Sequence, residues 1–187
     1  MRLVRPIAFA LAVLAAIALV ACAHRPAGSA TSAAVADADA VPSLRTPGNG
    51  LLLTAAQPGP GAWRVLAEQG VVAVVNLRPD DEQPGRDERA EVTAAGMAYH
   101  QVPVAGADGL TDDNAAKLLA LVSAVPGKVL VHCASGNRAG ALLALGAASA
   151  GAMSPEQALA FGQSAGLTQP KLEAAVRAKL GLPESGE

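Results

Sequence analysis

Two periodicities alternate along the chain from residue 51 onward. Short apolar or β-branched runs read as buried strands: Leu51-Leu52-Leu53, Val71-Val72-Ala73-Val74-Val75, Met97 to Val104, and Lys128-Val129-Leu130-Val131. Stretches with helical spacing lie between them. Pro58 to Gly70 sets Ala62, Val65 and Leu66 on one side, and Arg86 to Ala95 is charged and closed by Gly96. Thr111 to Ala124 opens on a capping residue and carries Ala115, Leu118, Leu119 and Val122 at helical spacing. Asn137 to Ala150 is almost wholly apolar, which predicts a helix buried on all sides. Ser154 to Ser164 and Gln169 to Leu180 close the chain, the first announced by the capping sequence Ser154-Pro155-Glu156-Gln157. Strands joined by helices of this length need crossovers. The predicted fold is therefore an α/β three-layer sandwich, with a short, mostly parallel sheet flanked by helices.

In such sheets ligands bind beyond the carboxyl ends of the strands. Three loops converge on that rim: Asn76-Leu77-Arg78, Ala105-Gly106-Ala107-Asp108, and the run His132-Cys133-Ala134-Ser135-Gly136-Asn137-Arg138. The last carries the chemistry. A thiol at a strand end, facing a helix N-terminus, meets free N–H groups and a partial positive charge. Gly136 lets successive amides turn inward as an anion nest. Arg138 adds a planar fork that matches two phosphate oxygens. Such surroundings favour the thiolate, the form that attacks. This equipment suits cysteine-based phosphoryl or sulfur transfer. The plainer reading of Cys133 is a buried structural thiol, a common fate of the residue type. Arg78 reads first as a surface partner of Asp80, Asp81 or Glu82, and second as another phosphate contact. Asn137 reads as a helix cap or a substrate contact. Gln57-Pro58 reads as a helix start near the rim, and Trp63 and Tyr99 read as core.

Composition narrows the partners. The formal charge is −2, there is no basic patch, and Phe9, Trp63, Tyr99 and Phe161 do not cluster, which argues against nucleic-acid binding. His24, His100 and His132 show no metal-ligand spacing. At the N-terminus, Arg2 and Arg5 precede an uncharged apolar run from Ile7 to Val20, shorter than the roughly 20 residues of a membrane span and shaped like a secretory signal. Its end, Leu19-Val20-Ala21-Cys22, resembles the lipobox of bacterial lipoproteins. That resemblance implies a signal peptide over residues 1–21 and lipidation of Cys22. It also implies a lipid-anchored protein in the bacterial cell envelope, on the periplasmic face of the outer membrane, because Ala23 follows the cysteine. The Ala-, Ser-, Asp- and Pro-rich stretch over residues 22–47 reads as a flexible tether, leaving residues 48–187 as one domain. With Cys22 lipidated, Cys133 has no partner for an intrachain disulfide.

From about Leu51 to about Leu167 the chain resembles the protein-tyrosine-phosphatase superfamily. The closer likeness is to the bacterial beta-lactamase-hydrolase-like phosphatase subgroup. It is carried by Ala56-Gln57-Pro58, Val74-Val75-Asn76-Leu77-Arg78-Pro79, Val102-Pro103-Val104 and Val131-His132-Cys133 to Arg138. The resemblance implies a tyrosine- or dual-specificity-like phosphatase acting on phosphate esters, with no cofactor and no metal. Cys133 would be the nucleophile that forms a phosphocysteine, and Arg138 would bind the phosphate. His132 would help lower the thiol pKa, and Ala134, Ser135, Gly136 and Asn137 would form the phosphate loop. An aspartate would serve as general acid: Asp108 first, with Asp112 and Asp113 as rivals that read also as first-turn residues of a helix. Two departures keep other functions open. The loop is one residue shorter than the common phosphatase loop, as in many rhodanese sulfurtransferases, and Ala139 stands where the family usually has Ser or Thr. A rhodanese-like sulfurtransferase and a non-catalytic anion-binding envelope protein are the alternatives.

Overall fold

The computed structural model describes residues 41–184; the expected signal peptide, Cys22 and most of the expected tether lie outside them. Four strands, β1 (Leu52–Ala55), β2 (Val71–Asn76), β3 (Ala98–Gln101) and β4 (Lys128–His132), form one sheet in the order β1-β4-β2-β3. Every pairing is parallel. Six α-helices surround it: α1 (Ala62–Glu68), α2 (Glu88–Ala94), α3 (Asp112–Ala124), α4 (Asn137–Ser149), α5 (Pro155–Ser164) and α6 (Pro170–Leu180). A 3₁₀ turn, Asp80–Glu82, interrupts the loop after β2. The predicted three-layer arrangement is present.

Strand residues divide between two cores by alternation. Ala73, Val75, Val129 and Val131 pack against α3, α4, α5 and α6, whereas Val74 and Leu130 face Trp63 and Leu66 of α1 and Val92 of α2. The strand expected over Met97 to Val104 is ordered only to Gln101. Val102 and Val104 still donate to the carbonyls of Asn76 and Leu77, and Pro103 between them falls where an N–H would face the open edge of the sheet.

The folded body begins before residue 48. Val41 is 3% exposed and belongs to the α1-side core. Arg45 and Thr54 exchange backbone hydrogen bonds of 2.8 and 3.0 Å in an antiparallel bridge. Residues 41–47 therefore belong to the domain, not to the tether that composition suggested. An edge strand needs partners for its open amides, and this segment supplies one to β1.

Helix α4 is the buried pillar of the fold: all residues from Asn137 to Ala147 are buried. It accepts α5 at very close range. A Cβ built on Gly140 would lie 2.4 Å from the Gly162 carbonyl oxygen and 2.6 Å from the Leu167 nitrogen. Only a residue without a side chain leaves room for that approach.

Candidate active site

Strand β4 ends at His132, and the chain turns at Gly136 with φ of 86°, a left-handed conformation that starts α4. The turn aims the Gly136 amide back at the cysteine, and its N–H donates to Cys133 Sγ at 3.1 Å. The Gln57 amide holds the same loop from the side by donating to the Ala134 carbonyl at 3.3 Å. Cys133 itself is fully buried, while Ala134 and Ser135 are exposed. A cavity of about 310 Å³ opens over the loop, lined by Ser135, Arg138, Glu82, Gly106, Ala107 and the start of α6.

Arg138 is only 8% exposed. Its Nη1 and Nη2 each donate to one Glu82 carboxylate oxygen at 2.7 Å, and Nη1 donates also to the Val104 carbonyl at 2.6 Å. A guanidinium has five N–H donors. Those three bonds leave Nε–H and one Nη2 N–H outside the Glu82 and Val104 contacts, and these two form a side-on fork with Cys133 beside the guanidinium. Glu82 thus fixes the arginine without consuming the edge that an oxyanion needs. Burial alone would push the Arg138 guanidinium down; the bond to Glu82 and the charge of Cys133 outweigh it and push it up. The bond from Arg138 outweighs the desolvation of Glu82 and, with Arg78, holds its carboxyl below the usual carboxylate range.

His132 and Glu88 form a buried pair, with Nε2 2.9 Å from Oε1 and side chains 0% and 2% exposed. Burial pushes Glu88 up, but the bonds from His132 and Gln57 and the Arg86 charge overcome it and leave the carboxyl below its ordinary value. His132 Nδ1 has no hydrogen-bond partner among the described residues.

Asn137 caps nothing on its own helix, where Gly136 is the N-cap. Its Oδ1 accepts from the backbone amides of Thr168 and Gln169, both at 2.7 Å, and its Nδ2 donates to Ser135 Oγ at 3.2 Å. It ties the loop to the α5–α6 connection. Asp108 is exposed and lies one residue beyond the cavity wall, which Gly106 and Ala107 form. Asp112 and Asp113 occupy the first turn of α3, where Thr111 is the cap. The carboxylate on the cavity wall is Glu82.

Arg78 does pair with Glu82, but inside the site: its side chain is 16% exposed and shares that carboxylate with Arg138. Gln57 and Glu82 engage three of its five N–H donors, and it is not among the residues that line the cavity over the loop. The sequence reading missed Glu82 and Glu88 as site residues. Glu82 had a signal, an acid-rich turn directly after the strand-end run Asn76-Leu77-Arg78-Pro79. Glu88 had none, because nothing local marks the helix start that faces His132. Trp63 is core as expected, 2% exposed, and its Nε1 donates to Glu91 at 2.7 Å. Tyr99 is half-buried and accepts from Asn76 Nδ2 at 3.0 Å.

The parallel sheet and the buried α4 behind it give the fold of a class of α/β proteins that solved phosphatase structures share. P. aeruginosa TpbA shares the fold with a TM-score of 0.55 at 24% identity, over 72% of this chain and 82% of that one. A DUF442 protein from Shewanella putrefaciens CN-32 aligns with a TM-score of 0.61 at 26% identity, over 78% of this chain and 98% of that one. Within that class the chain belongs to the family described as "Beta-lactamase hydrolase-like protein, phosphatase-like domain", which it matches over residues 53–150. The Beta-lactamase hydrolase-like protein of Xylella fastidiosa (strain Temecula1 / ATCC 700964) is 37% identical over 122 residues, or 63% of this chain and 28% of the relative. The protein of that description from Agrobacterium fabrum (strain C58 / ATCC 33970) is 33% identical over 122 residues, with the same coverage. The chain spans about 28% of the length of these relatives.

Proposed function

We propose that this protein is a cysteine-dependent phosphatase that hydrolyses phosphate monoesters through a phosphocysteine intermediate. The observation that carries the reading is the loop itself. It offers the Gly136 amide to Cys133 Sγ and, at Arg138, a guanidinium with one open fork held in place by Glu82. Phosphoryl transfer spreads charge over the equatorial oxygens, and positioned amides with a fixed guanidinium answer that charge. The phosphate enters over Ser135 and Arg138. Cys133 Sγ attacks phosphorus, the S–P bond forms, and the ester P–O bond breaks. The leaving oxygen takes a proton, for which Asp108 is the proposed donor; Glu82 is a poor donor because two arginines hold it ionised. Water then attacks the phosphocysteine, the S–P bond breaks, and inorganic phosphate leaves with the thiolate restored.

The test is hydrolysis of p-nitrophenyl phosphate by the full chain in the presence of EDTA, with Cys133→Ser alongside and vanadate as inhibitor. Turnover that vanishes in Cys133→Ser and falls with vanadate is the expected result. Equal rates for the two proteins refute the reading. Oxyanion binding without turnover would identify an anion-binding module instead. One observation favours a sulfurtransferase, the short loop from Ala134 to Asn137. Thiocyanate release from thiosulfate and cyanide, with no phosphate-ester hydrolysis, would decide for it.

A further inference from the structure

We propose that Gln57 and Arg78 are positioning residues that close one hydrogen-bonded belt beneath the cysteine loop, from His132 on one side of Cys133 to Arg138 at the far end of the loop. The proposal rests on the phosphatase reading only where turnover is measured.

The belt can be followed atom by atom. His132 Nε2 meets Glu88 Oε1 at 2.9 Å, and Glu88 Oε2 accepts from Gln57 Nε2. Gln57 Oε1 accepts from Arg78 Nη1. Arg78 Nε donates to Glu82 Oε2 at 3.3 Å, and Arg78 Nη2 donates to the Glu82 carbonyl. Glu82 Oε2 in turn accepts from Arg138 Nη2 at 2.7 Å. Side-chain exposures are 0% for His132, 2% for Glu88, 16% for Arg78, 10% for Arg138 and 32% for Glu82, and Gln57 is half-buried. Hydrogen bonds in such surroundings reinforce one another.

Gln57 is the one member whose chemistry is forced from both sides. Glu88 can only accept and Arg78 can only donate. The residue between them must donate at one end and accept at the other, over a glutamine's length. A carboxylate there would repel Glu88, and a cation would repel Arg78. The Gln57 backbone also holds the loop directly through the Ala134 carbonyl. One residue therefore touches the loop and both halves of the belt, and it reaches the phosphate fork of Arg138 through two further side chains. This gives a physical task to two runs, Ala56-Gln57-Pro58 and Asn76-Leu77-Arg78-Pro79, that the reaction scheme itself does not use.

The test uses full-length Gln57→Met, Glu82→Gln and the double variant. Two readouts are followed: kcat and KM for p-nitrophenyl phosphate, and protection of Cys133 from iodoacetamide by tungstate, which needs no turnover. Gln57→Met should weaken tungstate protection and kcat/KM by roughly tenfold or more, the scale of a lost hydrogen bond to a charged group. The double variant should be little worse than the weaker single variant, because both cut the same belt. Arg78→Lys keeps the charge but not the fork. It should show the same loss, and it serves if Gln57→Met does not fold. A merely structural role would lower the unfolding temperature and leave tungstate protection within about twofold of wild type in every folded variant, which overturns the proposal. Losses that multiply in the double variant overturn it as well. If tungstate protects wild type and the variants weaken that protection without any ester hydrolysis, the belt stands and the phosphatase reading falls.

Discussion

Gly140→Ala tests whether the close approach of α4 and α5 holds the site together. The new methyl would stand 2.4 Å from the Gly162 carbonyl oxygen, 2.6 Å from the Leu167 nitrogen and 3.1 Å from Leu167 Cβ. The first two atoms are already bonded to each other at 2.9 Å. The methyl is therefore wedged against a closed backbone pair, and no flexible side chain can yield. Relief requires α5 to move off α4 and the Leu167–Gly162 bond to stretch. Overpacking of this kind costs about 1–3 kcal/mol, and a buried amide left unpaired costs about 1–3 kcal/mol more. Replacing glycine within a helix returns about 1 kcal/mol. The net loss is about 1–5 kcal/mol, or a fall of roughly 3–20 °C in Tm for a domain of this size. The assay is urea and thermal unfolding of Gly140→Ala beside Gly61→Ala, whose φ is −76° and whose added Cβ meets nothing within 4 Å. An unfolding free energy of Gly140→Ala within about 1 kcal/mol of that control would refute the packing argument.

Asn137→Ala removes the acceptor of two backbone amides, those of Thr168 and Gln169. It should cost about 2–4 kcal/mol by denaturant unfolding; a loss under about 0.5 kcal/mol would mean that water replaces the side chain without penalty. Acid should weaken the fold. Glu82, Glu88 and Glu91 all titrate below the ordinary value of 4.5 in the folded chain, so the unfolded chain binds more protons in the window beneath that value. Their contribution is complete above the window and is lost as pH falls through the folded values. Urea midpoints measured from about pH 6 to about pH 3 should therefore hold and then drop, and a flat profile would exclude the linkage.

The apolar runs made the layers legible. Val71 to Val75 and Lys128 to Val131 are too β-branched and too short for anything but buried strands, and Asn137 to Ala150 too apolar for anything but a central helix. The cysteine loop was legible because its residues are contiguous and each brings a distinct chemistry. The carboxylates were not. Glu82 and Glu88 lie in charged, loop-like sequence where solvent exposure is the natural reading, and only the folded chain brings them to Arg138 and His132. Residues 41–47 were read from composition as a tether. Their role depends on the open edge of β1, which is visible only once strand order is known.

The order β1-β4-β2-β3 also sets a sequence of events for folding. Strands β2 and β3 adjoin each other and are joined by a short crossover, so they can pair early. Strand β1 has β4 as its neighbour in the ladder, and residues 52–55 must wait for residues 128–132. Strand β4 must enter between β1 and β2, and such long-range closure is the slow kind. The residue that follows it is Cys133. The loop that holds this thiol therefore takes shape only as the sheet closes. The candidate site is thus completed by the slowest pairing in the fold, and a partly folded chain that lacks the β1–β4 pairing lacks the site as well.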